Sequence, residues 1–173
     1  AALDLVGVPA SLERVLSHWR SCGKEGDFDC PQEVLSLRFP REVEIAVFRA
    51  CQEAFNNAMR HGEAGRIDIA LNYENGELLA SVEDDGIGFD TGKLRLHGLG
   101  MNTMRGRIEG IGGCMEIQSQ PGRTRIEFRV PCTPRPDRVS AANGQVQDLS
   151  PSLEPKAGPV LPGQAGAVFP LPE

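Results

Sequence analysis

Apolar and polar positions alternate with two different periods along the first 131 residues. In residues 9–22 and again in residues 41–61, apolar side chains recur every three or four positions, which predicts two amphipathic helices. A glycine follows each segment, as is typical of helix ends. The predicted buried stripe of the longer helix consists of Ile45, Phe48, Phe55 and Met59.

Extended segments are marked by alternation with a period of two. Residues 67–71 and 78–82 alternate in this way, and the intervening Asn75-Gly76 pair favours a tight hairpin turn. Residues 34–39 are also predicted to form a strand. The remaining predicted elements are a helix and two strands, at residues 99–111, 114–119 and 124–130. This order predicts a two-layer α/β sandwich, in which a mixed sheet is covered on one face by helices.

The last segment of the chain has a different composition. Residues 132–173 contain eight of the thirteen prolines and show no sustained period. Such a stretch buries too little apolar surface to offset the conformational entropy that it would lose on ordering. We therefore predict one folded domain at residues 9–131 and a disordered tail at residues 132–173.

Charge and cysteine content argue against several classes of protein. The net charge is −6, whereas nonspecific binding to nucleic acid or to an anionic membrane usually needs a basic surface. No apolar run approaches the ~20 residues of a membrane helix, so no direct insertion of this segment is expected. The five cysteines include no C-x-x-C pair, which argues against a zinc site and favours a reducing cytoplasm. Cys51 and Cys114 are predicted to be small core residues.

The helix at residues 41–61 carries a second, polar stripe. Glu53, Asn57, Arg60 and His61 recur at helical spacing and share one side of it. Successive turns rise by about 5.4 Å, so the oxygens of Glu53 and Asn57 can reach one shared cation. Oxygen ligands suit Mg²⁺, which commonly takes its other ligands from water and phosphates. Arg60 and His61 are candidates for phosphate contacts, and the alternative is a solvated polar face.

Asp84 ends the second strand of the predicted hairpin. Strand alternation turns its carboxylate toward the helical layer, where an apolar residue is expected. Such an acid needs a hydrogen-bond donor, and an exocyclic amine is a suitable one. Gly86 and Gly88 remove side chains beside it and leave room for a flat ring. The alternative is an ordinary turn of the Asp-Gly type.

Glycines also open the helix predicted at residues 99–111. Gly98 and Gly100 expose free N–H groups at its positive end, which favours phosphate binding. Arg105, one turn further, is a candidate for a charge-assisted contact. The alternative is a flexible loop joined to an ordinary surface helix. The predicted core stripe of this helix consists of Met101, Met104, Ile108 and Ile111.

Taken in order, these segments resemble the motifs of the GHKL ATPase superfamily, and within it the catalytic domain of sensor histidine kinases of the nitrate-sensor type. Residues 48–61 resemble the N box, residues 84–89 the G1 box, and residues 97–107 the G2 box. The resemblance covers residues 3–131. It implies a Bergerat-type ATP-binding fold whose ligands are ATP and Mg²⁺.

The resemblance implies a role for each matching position. Asn57 would ligate Mg²⁺, and Glu53 would bind or polarise a metal-bound or attacking group. Asp84 would accept a hydrogen bond from the adenine amine, and Thr124 would lie near it. Residues 121–124 are one residue shorter than the usual P-G-x-G-T motif of the family. The other implied nucleotide-binding positions are Arg60, His61, Gly86, Gly88, Gly98, Leu99, Gly100, Met101 and Arg105.

The resemblance also implies partners. The domain would donate the γ-phosphate of Mg-ATP to a histidine on a separate dimerisation segment, and a response regulator would act downstream. His18 matches no phosphoacceptor motif, and we predict an ordinary surface or packing histidine. Residues 1–8 resemble the linker that follows the missing phosphoacceptor helices, so the chain alone is expected to be inactive in autophosphorylation. The alternatives are a GHKL-type ATPase, an anti-sigma-type serine kinase and a nucleotide-binding regulatory module.

Overall fold

The computed structural model of this chain describes residues 2–92 and 98–136, with side chains described for residues 6–92 and 100–136. In chain order, the elements are α1 (Ala2–Ser21), β1 (Phe28–Asp29), α2 (Gln32–Leu35), β2 (Leu37–Arg38), α3 (Arg41–His61), β3 (Ile67–Glu74), β4 (Glu77–Asp84), α4 (Gly98–Glu109), β5 (Cys114–Gln120), β6 (Arg123–Pro131) and β7 (Arg135–Pro136). Among these residues, no helix is both long and apolar enough to cross a membrane.

The main sheet has five strands in the spatial order β1-β3-β4-β6-β5. Strand β1 is parallel to β3 and the other neighbours are antiparallel, so the sheet is mixed. One face is buried beneath α1, α3 and α4, and the other carries ion pairs such as Glu83 with Arg123 and Glu127 with Arg129. The predicted two-layer α/β sandwich is confirmed.

Helix α1 packs against α3 through an aromatic contact. The rings of Trp19 and Phe55 meet edge to face, with centroids 5.6 Å apart, and the indole Nε1 of Trp19 donates to the carbonyl of Glu25 at 2.8 Å. The helix is interrupted at Gly7, whose φ of 74° and ψ of 175° are not helical. The helix resumes after this break, and Pro9 lies in its first turn, where proline is tolerated. The helix predicted from residue 9 therefore corresponds to the second part of α1.

Helix α3 has the predicted bounds, but its buried face differs from the predicted stripe. Met59 is 43% exposed, and Ile45 and Phe48 are half-buried. The sheet, α1 and α4 all contact this helix, so its buried face is wider than a single stripe. Small side chains on that face let the neighbouring elements approach closely. The buried apolar residues are Val43, Ala46, Val47, Ala50, Cys51, Ala54, Phe55 and Ala58.

A buried ion pair anchors the start of α3. The guanidinium of Arg38 donates from Nε and Nη2 to the two carboxylate oxygens of Glu44, each at 2.9 Å. The backbone N–H of Phe39 also donates to Glu44, at 3.0 Å. A Cβ at Gly7 would lie 3.1 Å from Nε of Arg38, so the break in α1 packs directly on this ion pair.

Residues 34–39 do not form the predicted strand. Val34 is buried within the short helix α2, and only the two residues of β2 are extended. A short apolar run fits either structure, and here the strand that pairs with β2 in the described part of the chain, β7, is two residues long. Strand β7 itself lies within the stretch predicted to be disordered, so ordered structure continues past residue 131. Residues 137–173 lie outside the described residues.

The other sequence predictions have mixed outcomes. The hairpin turn is confirmed, with positive φ values of 53° at Asn75 and 82° at Gly76. Cys51 is buried as predicted, but Cys114 is exposed, because the alternation of β5 places Met115 on the buried face. His18 is exposed, as expected for a surface histidine. The predicted core stripe of α4 is buried except for Ile111, which is half-buried.

Candidate functional site

One side of α3 forms a wall of a cavity of about 560 Å³. Glu53, Asn57 and His61 line it at steps of four residues, each about 6 Å further along the helix axis. Ala54 and Ala58 line it between them, and their small side chains leave the space open. The polar stripe predicted on this helix therefore faces a cavity, with the exception of Arg60, which is exposed and does not line it.

Asp84, the last residue of β4, lines the same cavity. Its side chain is buried, and Oδ1 accepts a hydrogen bond from the backbone N–H of Gly86 at 2.9 Å. Within the described part of the chain, Oδ2 has no hydrogen-bond partner. Burial raises the pKa of this carboxyl above its usual value, and the Gly86 N–H opposes the rise. The site thus holds a buried acceptor that is open to a donor from the cavity.

Thr124 lies directly opposite Asp84 in the register between β4 and β6. It is buried, and its Oγ1 is 2.8 Å from Oγ of Ser119, which accepts a hydrogen bond from the backbone N–H of Phe89 at 2.9 Å. Both Thr124 and Phe89 line the cavity. The shortened turn at residues 121–124 therefore still places the threonine beside the carboxylate.

The two glycines after Asp84 allow close backbone packing. A Cβ at Gly86 would lie 2.1 Å from the carbonyl oxygen of Gly62, and one at Gly88 would lie 2.3 Å from that of Gln120. Gly88 also has a φ of +69°, in the left-handed region that side chains disfavour. Gly88 lines the cavity and Gly86 does not. At Gly86, the space predicted for a ligand ring is thus occupied by the end of α3.

The first turn of α4 forms the wall facing Glu53. Gly100 and Met101 line the cavity, and a Cβ at Gly100 would lie 2.5 Å from Oε1 of Glu53. Gly98 and Leu99 begin this helix, and their placement relative to the cavity lies outside the described residues.

Arg105 does not reach the cavity. Its Nη1 donates to the carbonyl of Met115 at 3.2 Å and lies 3.6 Å from Oε1 of Glu109, on the side of α4 that faces β5. The structure therefore does not bring Arg105 together with the other predicted phosphate-binding residues, and its phosphate contact stays a prediction. The cavity also has lining residues that the sequence did not single out. They are Ala54, Ala58, Gly62, Ile87, Phe89 and Ile126, of which Ile126 follows from the alternation of β6 and the alanines from helical spacing.

Comparisons with known proteins agree with this geometry. A family model described as "Histidine kinase-, DNA gyrase B-, and HSP90-like ATPase" matches residues 42–134. The sensor histidine kinase LiaS of Bacillus subtilis is 32% identical over 133 residues, which cover 76% of this chain and 36% of LiaS. The oxygen sensor histidine kinase NreB of Staphylococcus carnosus is 35% identical over 98 residues, or 56% of this chain and 28% of NreB. The chain thus spans about a third of the length of these relatives.

Solved structures support the same fold. The histidine kinase domain of the blue-light-activated kinase EL346 from Erythrobacter litoralis superposes with a TM-score of 0.62 at 19% sequence identity, and the match covers 75% of this chain and 67% of that domain. A likeness at this identity concerns the fold alone. The family model, which matches more than half of the residues, shows that the chain belongs to the GHKL family of histidine kinase-, DNA gyrase B- and HSP90-like ATPases.

Proposed function

We propose that this domain binds Mg-ATP and donates the γ-phosphate to a histidine on a separate dimerisation segment, as the catalytic domain of a two-component sensor kinase. The observation that carries the proposal is the convergence of Glu53, Asn57, Asp84 and Thr124 on one cavity of about 560 Å³. These residues come from three different segments of the chain, α3, β4 and β6, and an ordinary polar surface would not bring them together.

Asp84 fits the recognition of adenine. A buried carboxylate with an open oxygen is a good acceptor for an exocyclic amine, and hydrogen bonds to charged groups are stronger than neutral ones. Thr124 lies beside it with a hydroxyl that Ser119 orients at 2.8 Å. The apolar residues Ile87, Met101 and Ile126 line the same cavity and suit a flat aromatic ring.

Glu53 and Asn57 fit Mg²⁺ by the chemistry of their donors. Both present oxygen atoms to the cavity from successive turns of α3, and Mg²⁺ is bound by few protein oxygens when phosphates supply the rest. When bound, the metal neutralises charge on the triphosphate, and phosphoryl transfer depends mostly on such neutralisation and on positioning. Asn57 would ligate the metal, Glu53 would bind or polarise the attacking group, and His61 would contact phosphate.

Relatives support the kinase assignment through their names, since LiaS and NreB are sensor histidine kinases. A receiving histidine on another segment and a response regulator downstream are part of this proposal. The same fold also fits an ATPase or a serine kinase, in which Glu53 would act as a general base on water or a hydroxyl.

Calorimetric titration of the chain with ATP tests the proposal. We expect saturable binding that Mg²⁺ strengthens, and we expect Asn57→Ala to abolish the strengthening by Mg²⁺ while the fold is kept. An absence of saturable binding with and without Mg²⁺ would refute nucleotide recognition. Steady release of phosphate from Mg-ATP without an acceptor would contradict the kinase and favour the ATPase.

A further inference from the structure

A second, smaller cavity of about 260 Å³ lies between α3 and α4. It is closer to the N-terminus of α3 than the first cavity, and Glu53 lines both. The carboxylate of Glu53 therefore stands between the two spaces. The residues that line the second cavity are Arg49, Gln52, Glu53, Thr103, Met104 and Arg107.

The two arginines of this cavity differ from the arginines that form ion pairs elsewhere in the fold. Within residues 6–92 and 100–136, neither Arg49 nor Arg107 forms an ion pair, although Glu53 shares the cavity with them. The guanidinium of Arg49 is held by a hydrogen bond from Nη1 to Oε1 of Gln52, at 3.0 Å. In the same described ranges, arginines that do pair with carboxylates include Arg20, Arg38, Arg66, Arg105, Arg123, Arg125 and Arg129.

These two cations face a single carboxylate, so this cavity carries a local positive charge in a chain whose net charge is −6. Guanidinium groups present their N–H donors in a planar fork that matches the oxygens of a phosphate. An oxyanion is therefore the ligand that suits this cavity.

The order of groups along α3 indicates which oxyanion. Asp84 lies level with the end of α3, where the backbone N–H of Ile87 donates to the carbonyl of Gly62 at 2.8 Å. With a rise of 1.5 Å per residue, Glu53 lies about 14 Å and Arg49 about 20 Å from Gly62 along the helix axis. The cations thus stand beyond Glu53, at the end of the site that is farthest from Asp84.

We propose that Arg49 and Arg107 bind the terminal phosphate of the nucleotide and make this site prefer ATP to ADP. The inference rests on the proposed nucleotide binding and assigns the terminal-phosphate contacts to one residue of the N box and one of the G2 box, neither of which the resemblance gave a role. Arg49 lies one turn before Glu53 on α3, and Arg107 lies on α4, so the contact also joins the two helices across the bound phosphate.

Titration of the full chain with Mg-ATP and with Mg-ADP tests this assignment. In the double variant Arg49→Gln, Arg107→Gln we expect ATP affinity to fall about tenfold or more, since hydrogen bonds to charged groups are lost, while ADP affinity is unchanged. The control is Arg14→Gln, which makes the same kind of substitution, with the loss of one positive charge, at an exposed position on α1 that lines neither cavity. We expect this control to change neither affinity.

The double lysine variant separates charge from geometry. Arg49→Lys, Arg107→Lys keeps both charges but loses the planar fork, so we expect it to restore only part of the ATP preference. The assignment is overturned if the glutamine variant loses equal affinity for ATP and ADP, or loses none, while the wild-type chain binds both nucleotides. If the wild-type chain binds neither nucleotide, the proposed function fails as well, and the two failures are distinguishable.

Discussion

Asp84 offers a substitution with opposite effects on stability and on binding. Asp84→Asn keeps the shape of the side chain and the acceptor for the N–H of Gly86, but it removes the charge. Burial raises the pKa of this carboxyl in the folded protein above its unfolded value, so ionisation disfavours the folded state. The stability that the protonated Asp84 carboxyl contributes is therefore lost as the pH rises through the pKa that this group has in the folded protein. At neutral pH the asparagine variant is expected to melt at a higher temperature than the wild type.

The effect on nucleotide binding has the opposite sign. A hydrogen bond to a charged acceptor contributes about 1.5–3 kcal/mol and a neutral one about 0.5–1.5 kcal/mol, so loss of the charge costs about 1 kcal/mol. That difference corresponds to a roughly fivefold weaker affinity for ATP. In the wild type, ATP affinity should also decrease as the pH is lowered and Asp84 becomes protonated. Because the pKa of Asp84 is raised, this decrease should begin at a higher pH than the pKa of an ordinary aspartate would give.

The adjacent Asp85 supplies a matched control. Its carboxylate is exposed, and Oδ1 accepts hydrogen bonds from the backbone N–H groups of Arg66 and Gly65 at 2.9 and 2.8 Å. The hydrogen bond from the Arg66 N–H is the main cause that lowers the pKa of Asp85 in the folded protein. The ionised carboxylate therefore stabilises the fold at neutral pH, and this contribution is lost as the pH falls through the folded-state pKa. Asp85→Asn should therefore lower the melting temperature at neutral pH.

Thermal melts without nucleotide, recorded at neutral and at acidic pH, measure the stability differences, and calorimetric titration measures ATP affinity. The stability gain of Asp84→Asn should shrink in acid, where the wild-type carboxyl is also neutral. A variant that is less stable than the wild type at neutral pH and binds ATP equally well would refute both the desolvation argument and the adenine contact.

Two further substitutions test the packing that surrounds the site. Glu44→Ala leaves Arg38 without its buried partner and should lower the free energy of unfolding by about 3–5 kcal/mol in chemical denaturation. Glu83→Ala removes exposed ion pairs, so it should lower the free energy of unfolding by at most about 1 kcal/mol. Equal losses in the two variants would contradict the argument from burial. Gly88→Ala combines a left-handed backbone with a Cβ placed 2.3 Å from the carbonyl of Gln120. It should therefore destabilise more than Gly76→Ala, which has a similar φ of +82° and no atom within 4 Å of its Cβ, and only the former should weaken ATP binding.

Local signals account for what the sequence predicted well. Helix α3 lies between Pro40 and Gly62, and the Asn75-Gly76 turn sets the register of the hairpin, so neither depends on distant residues. The short bounds of strand β2 could not be predicted, because its partner β7 follows the whole sheet in the chain and a two-residue strand has no period. The apolar run at residues 34–39 fits a helix and a strand equally well.

In the site, too, some residues could be predicted from local sequence signals and others could not. Glu53, Asn57 and Asp84 follow from helical spacing and strand alternation, and the structure brings all three to one cavity. Their roles toward ATP and Mg²⁺ stay predictions. Arg105 could not be placed from the sequence, because the direction in which a residue of α4 points depends on how that helix is rotated against α3 and β5. Its neighbour Arg107, two positions further, faces α3 instead.

The contact between Gly100 and Glu53 couples two parts of the domain that are far apart in the chain. Because a methyl group at residue 100 would meet the Glu53 carboxylate at 2.5 Å, the two positions share one small volume. Any sideways displacement of the first turn of α4 must therefore move that carboxylate or open a gap beside it. The orientation of the Glu53 side chain therefore depends on the position of the first turn of α4.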